Sequence, residues 1–222
     1  MSVIGSSGNI LFAGHSERYS KIKHDKNLCQ GLIDDALDRI PYYNDFELHY
    51  YERPWVKTLR QLRTGEPLTS IFAKDIIGKE NHELLHNKKI HTHNHHLSHA
   101  AAGFQTSPYD KATVVVIDAI GEWDTISIWA AEYVNGYAKY KKLWSQKYPH
   151  SIGLFYSAMT QKVGLKPNED EYILMGMAAY GERGFGDLLK MSLIDNEWEV
   201  KFKENLHTGL SQKYLSYVGD MD

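Results

Sequence analysis

The stretch from His93 to Phe104, HNHHLSHAAAGF, carries four histidines within seven positions. His95 and His99 are four residues apart. On a helix that spacing puts both rings on one face, one turn apart, within reach of a single metal ion. His96 points elsewhere on such a helix. Asp118 lies at the C-terminal end of the apolar run Ala112 to Ile117, where α/β sheets present ligand-binding side chains. Two imidazoles and one carboxylate, with coordination positions left over, suit Fe(II), Zn(II) or Mn(II) better than Mg(II). The spacing alone leaves a second reading open, a solvated histidine run at a helix start. His86, His91 and His93 read as surface residues, and His93 and His96 as bystanders.

Three further stretches could contribute chemistry. DAIGEWDT, Asp118 to Thr125, places Gly121 in a strand-to-strand turn where a ligand could approach the backbone. Glu122 and Asp124 add acceptors there, although an ordinary acidic turn would carry the same residues. HSERYSKIKHD, His15 to Asp25, mixes Glu17, Arg18, Lys21, Lys23 and His24. It suits either an anionic ligand or a solvated loop of weak ion pairs. In EDEYILMGMAAYG, Gly176 and Ala178-Ala179 would allow close helix packing or a backbone approach to a nucleotide. No Walker loop is present, and Gly5 and Gly8 read as a turn.

These residues need elements to hold them. SVIGSSGNILFAG reads as two short strands around the Gly5–Gly8 turn. Lys26 to Arg39 has helical apolar spacing through Leu28, Leu32, Ile33, Ala36 and Leu37. ELHYYERP is a strand stopped near Pro54, and Trp55 to Leu62 follows as a helix. KKIHTHN is a polar strand, Asn94 sits at a helix N-cap position, and His95 to Gln105 is a helix ended by Ser107-Pro108. The run Ala112 to Ile117 suggests a strand buried on both faces. Thr125–Val134 and Tyr137–Trp144 flank Asn135-Gly136, a strong hairpin signal. Ser151 starts a helix through about Val163. DEYILMGMAAYG is another, stopped by Gly181, and EWEVKF is a late strand. The Ala-Ala-Ala-Gly after His99 reads as packing of the helix close to the sheet. The class is α/β with a mixed sheet.

Composition narrows the partners. The 222 residues suffice for one large domain or two small ones, and the hydrophobic fraction of 42% supports a core. A net charge of -3 without a basic stripe argues against nucleic acid. No apolar run is long enough for a membrane span, and the N-terminus does not read as a signal peptide. Cys29 is the only cysteine, so no intrachain disulfide can form, which fits a cytoplasmic setting.

Taken in order, HHLSHAAAGFQTSPYDKATVVVIDAIGEWDT and YPHSIGLFYSAMTQKVGLKPNEDEYILMGMAAYG strongly resemble the O-carbamoyltransferases of nodulation-factor and antibiotic biosynthesis. ERYSKIKHD resembles that family's segment after its first hairpin. The resemblance runs from about Ile10 to Gly186 and treats residues 1–222 as part of an N-terminal carbamoyltransferase domain. It implies an actin-like ATPase (ribonuclease-H-like) fold related to the tRNA threonylcarbamoyl-transferase domain. By resemblance, His95, His99 and Asp118 hold a divalent metal. The implied chemistry moves a carbamoyl group from carbamoyl phosphate, through carbamoyl-adenylate made with ATP, to a hydroxyl of a sugar or similar acceptor. Lys23, Glu122 and Glu171 match recurrent polar positions and would line the pocket, with Gly121 and Gly176 beside the nucleotide.

The chain also departs from the family pattern. Its start corresponds to the second strand of the first strand pair, and Ile173 stands where the family often has lysine. The second actin-like half, a further acidic metal ligand and the adenylate-forming domain have no counterpart before Asp222. The expectation is therefore a fragment or split subunit, inactive alone, with a separately encoded C-terminal half as candidate partner. The alternative is a degenerate metal- or nucleotide-binding partner module without catalysis. A metal-dependent hydrolase rests on the histidine pair alone.

Overall fold

Strand pairing and helix packing divide the computed structural model into two units, Met1–Asn94 and His95–Asp222. The structure describes residues 1–23, 25, 27–40, 46–73, 75, 87–181, 194–196, 200–203 and 205–208.

In the first unit, β1 (Ser2–Ile4) and β2 (Ile10–Ala13) form the expected antiparallel hairpin. Helix α1 (Ser16–Ser20) occupies part of the stretch that reads as an anion site or solvated loop. Its His24 lies outside the described residues. Helix α2 covers Gln30–Leu37, shorter than the Lys26–Arg39 expectation because Cys29 is extended. The apolar positions do face inward. Leu32, Ile33, Ala36 and Leu37 are buried, and Leu28, Ile40, Phe46 and Leu48 pack against Ile33 and Leu37. Strand β3 (Leu48–Tyr50) runs parallel to β4 (Ile90–Thr92). Between them α3 (Pro54–Thr64) starts on Pro54, whose missing N–H is harmless at a first turn, and ends on Gly65 at φ 73°. Its buried side is partly polar. Arg60 pairs with Glu66 at 3.1 Å, and Gln61 Oε1 accepts from Thr69 N and Oγ1 at 2.9 Å each.

The second unit is built on one meander. Strands β5 (Lys111–Gly121), β6 (Asp124–Val134) and β7 (Tyr137–Lys147) pair antiparallel in the order β5-β6-β7. Asn135 and Gly136 both have positive φ, 54° and 79°, as a type I′ turn requires. Helix α4 (His95–Gln105) lies on this sheet, within the predicted bounds. Ala100 joins Val116 and Trp129 in a buried cluster with Leu97, Val114 and Tyr140 against it. Phe104 closes the other end, stacked on Tyr133 at 5.1 Å and edge-on to Tyr140 at 5.8 Å. Gly103 does not share in that packing, since a Cβ there would meet nothing within 4 Å among the described residues. Helix α5 (Ile152–Lys162) packs Leu154 and Ala158 with Phe202 and Leu206 beside Ala119 and Ile120. Helix α6 (Glu171–Ala178) follows, and β8 (Ile194–Asn196) pairs with β9 (Lys201–Phe202).

The α/β class is therefore observed. Parallel and antiparallel pairs, however, occupy separate sheets among the described residues, so the single mixed sheet is not seen there. The run Ala112–Ile117 is also not buried on both faces. Val116 turns inward, whereas Val115 and Ile117 are 56% and 57% exposed. An unbroken apolar run conceals the period-2 alternation of an antiparallel strand.

Two substitutions test this frame by urea unfolding. Gly136→Ala forces a side chain into the left-handed region and should lower stability by about 1 kcal/mol. Phe104→Ala should lower it by about 3–5 kcal/mol.

Candidate metal centre

Helix α4 begins at His95, so its first turn carries His95 and His99 on one side. Their Nε2 atoms lie 3.0 Å apart. Asp118 Oδ2 is 3.0 Å from His95 Nε2 and 3.8 Å from His99 Nε2. Ligand atoms about 2.0–2.2 Å from one ion lie roughly 3.0–3.6 Å from each other, so two of the separations match a shared ion and the His99–Asp118 separation of 3.8 Å would have to close slightly. Among the described residues this is the one group of three such side chains whose ligand atoms come this close. Exposure is graded. The His95 and Asp118 side chains are 14% and 26% exposed and His99 is 52% exposed, so the site has a wall and an open side.

Asp118 is held from several directions. The regular β5–β6 pairing ends at Ile117 and resumes at the Gly121–Asp124 pair, which places Asp118 at the irregularity. Its Oδ1 accepts from the Ala119 N–H at 2.7 Å, leaving Oδ2 for the imidazoles. Burial works against its charge. The hydrogen bonds from His95 and Ala119, with the neighbouring imidazoles, outweigh that and hold the carboxyl below its usual range. Ser151 caps α5 by accepting from Leu154 N at 3.1 Å. Its hydroxyl lies 2.7 Å from the Ala119 carbonyl and 3.0 Å from that of Asp118. Gly153 completes the contact. A Cβ there would sit 2.6–2.8 Å from the Asp118–Ala119 backbone.

His96 corrects the bystander reading. Its ring is fully buried, and Nδ1 is 2.7 Å from Ser127 Oγ. Trp129 Nε1 donates to the same oxygen at 2.7 Å. An indole N–H can only donate, so Ser127 Oγ accepts from Trp129 and makes its second bond with His96 Nδ1. Burial pushes the imidazole down more than Asp124 and Asp118 raise it, which keeps it neutral. Nε2 has no hydrogen-bond partner among the described residues.

Gly121 serves these rings directly. A Cβ at this position would lie 2.5 Å from His96 Cδ2 and 2.6 Å from His95 Cδ2. Glu122, next in the turn, is buried at 4% exposure with φ 61°. Asp124 is buried and pairs with Lys142 at 2.6 Å. Glu171 starts α6, and its Oε1 accepts from Ser157 Oγ at 2.8 Å and from Asn168 N at 2.5 Å. At Gly176 a Cβ would meet nothing within 4 Å among the described residues. Lys23 lies in the first unit, exposed beyond α1.

The structure thus brings together His95, His99 and Asp118, with Gly121 against them. Sequence reasoning missed His96, Ser127, Trp129, Ser151 and Gly153 as the supports of this group. Ser127 and Trp129 are two apart on β6 and so share a face, the only signal that linked them.

Comparison with known proteins adds an independent line. A family described as carbamoyltransferase N-terminus matches residues 68–214. An uncharacterized protein of Synechocystis, sll1178, is 32% identical over 228 residues, covering 90% of this chain and 36% of that protein. An uncharacterized protein of Methanocaldococcus jannaschii, MJ1058, is 31% identical over 220 residues, covering 89% and 35%. The nodulation protein NolNO of Sinorhizobium fredii is 26% identical over 234 residues, covering 98% and 32%. The chain spans about a third of the length of the curated relatives it matches.

Gly153→Ala should push α5 off the Asp118–Ala119 backbone and cost about 1–3 kcal/mol in urea unfolding. Ser127→Ala strands the buried Trp129 N–H and should cost about 1–3 kcal/mol in the same measurement.

Proposed function

The chain belongs to the carbamoyltransferase N-terminus family, and from that premise we propose that it supplies the metal-holding part of an O-carbamoyltransferase. The overall reaction is transfer of a carbamoyl group from carbamoyl phosphate, by way of carbamoyl-adenylate made with ATP, to a hydroxyl of a sugar or natural-product acceptor. The observation that carries the reading is the meeting of His95, His99 and Asp118 at one point in a member of this family. The proposed fold is actin-like, supported by the antiparallel meander followed by α5.

In the transfer step the acceptor oxygen attacks the carbamoyl carbon, the bond to the adenylate phosphate breaks, and AMP leaves with the electron pair. The acceptor proton passes to a base. A divalent metal (Fe, Zn or Mn) held by the two imidazoles and the carboxylate would supply Lewis-acid polarisation of a bound oxygen. The protein's own work is orientation. Asp118 keeps one oxygen on Ala119 N–H and turns the other to the imidazoles, so the donor set is formed before a ligand arrives. The exposed side at His99 leaves the direction from which a substrate can enter. Of the three polar positions that the family resemblance places at the pocket, Glu122 adjoins the Gly121 turn, and the Glu171 carboxylate accepts from Ser157 Oγ and Asn168 N.

Metal analysis after loading with Fe(II), Zn(II) or Mn(II) tests the reading. The parent chain should retain one equivalent at this site, and His99→Ala should lose it. Equal content at the site in both proteins would refute the ligand set. Mass spectrometry of a carbamoylated sugar product, with the full-length enzyme, ATP and carbamoyl phosphate, tests the reaction. Glu122→Gln should slow product formation by about 10²-fold or more if this carboxylate takes the acceptor proton.

A further inference from the structure

A second group of imidazoles lies wholly within the first unit. His49 on β3 pairs in register with His91 on β4. Glu47 precedes His49 by two residues and His93 follows His91 by two. Residues two apart on a strand share a face, so all four side chains project from one side of the parallel pair. His93 lies just past β4, but its N–H donates to Tyr50 O at 3.0 Å and extends the ladder. The positions of the four are therefore set by backbone pairing.

The side chains converge accordingly. The His49 ring stacks with His91 at 5.2 Å and 21°, and with His93 at 5.1 Å and 19°. His49 Nδ1 lies 2.8 Å from His93 Nε2, close to the 3.0 Å separating the His95 and His99 nitrogens. On the far side of the same ring, His49 Nε2 lies 3.4 Å from Glu47 Oε2. That carboxylate is also 4.0 Å from His91 Nε2. A metal-ligating imidazole usually gives its other ring N–H to a carboxylate, which fixes the tautomer and raises the basicity of the free nitrogen. Glu47, at ion-pair distance from Nε2, is the group that would do this for His49 once its carboxylate closes on the ring, leaving Nδ1 as a lone pair toward the His93 nitrogen.

We propose that His49 Nδ1 and His93 Nε2 form a second divalent transition-metal site, with Glu47 as the outer partner of His49 and the remaining positions open. Two imidazoles without a directly ligating carboxylate select Ni(II), Cu(II) or Zn(II) over Mg(II) and Ca(II). The ligands are close enough that only a small opening of the pair admits an ion at about 2.0–2.1 Å from each nitrogen. The His49 side chain is 53% exposed, so an ion can reach the pair from solvent. The site is independent of the carbamoyl-transfer reading, because it shares no residue with His95, His99 and Asp118.

Equilibrium dialysis of the tag-free chain against Ni(II), with circular dichroism as the folding control, tests the proposal. The His95→Ala/His99→Ala double variant should retain one equivalent, and adding His93→Ala should abolish it. Glu47→Gln, a surface change that leaves the ligands in place, should weaken Ni(II) binding by about 10- to 100-fold. Failure of the double variant to bind Ni(II), or binding unchanged by His93→Ala, overturns the second site. Neither result affects the first site. Loss of binding in His93→Ala with no effect of His99→Ala would instead support the second site and refute the first.

Discussion

The arrangement of the second unit depends on the Asp118 carboxylate being divided between two partners. One oxygen is tied to the Ala119 N–H and the other faces the His95 ring at 3.0 Å. A carboxylate free to rotate would meet either imidazole only part of the time, and the ordering entropy would then oppose ligand binding. Here much of that ordering is done in folding. Alternation from Val114 and Val116, which pack on α4, already puts Asp118 on the α4 face, and the irregularity between Ile117 and Gly121 begins at that residue. The Ser151 hydroxyl and the bare α-carbon of Gly153 then hold that irregular backbone against the start of α5.

The other side of the site is fixed by a buried polar relay. His96 is adjacent to a ligand in sequence but about 100° away on the helix, so its ring enters the sheet while His95 and His99 face the carboxylate. Burying an imidazole and a serine is expensive unless their hydrogen bonds are made. The Trp129–Ser127–His96 chain makes two of them at 2.7 Å each, and Ala100 and Phe104 add apolar contact along the same helix. Directional bonds specify rotation of α4 about its axis better than apolar burial does. Rotation is the variable that decides whether His95 and His99 meet Asp118. Gly121 is needed for the same reason, since the two imidazole edges occupy the volume of its missing side chain.

Much of this was legible in the residues. Helical spacing located His95–Gln105, the Ser151 cap located α5, and Asn135-Gly136 located the hairpin, because each signal is local and has one dominant physical cause. The meeting of His95, His99 and Asp118 was legible from the i, i+4 pair and a strand end. What could not be read were facts of packing across elements. Nothing near His96 in sequence announces Ser127, 31 residues away. Nothing in SIGLF tells that Gly153 faces backbone rather than solvent. The exposure of Val115 and Ile117 was hidden because an apolar run has the same composition whether one face or two are covered.

The same reasoning explains why histidine density is a poor guide and register a good one. His93, His95, His96 and His99 lie within seven residues, yet the backbone sends them to three different surroundings. His93 continues a parallel ladder and meets His49. His95 and His99 meet Asp118, and His96 enters the core. At His49 the neighbour on the far side of the ring is Glu47, whereas at His95 and His99 the carboxylate of Asp118 faces the Nε2 atoms themselves. A carboxylate or backbone partner that fixes the tautomer makes the remaining nitrogen a directed lone pair. A histidine lacking such a partner spreads its proton over both nitrogens. Folding of β5 and α4 supplies Asp118 with a fixed orientation, and pairing of β3 with β4 supplies His49 with Glu47. Strand pairing, more than the count of imidazoles, thus determines where this chain can concentrate positive charge.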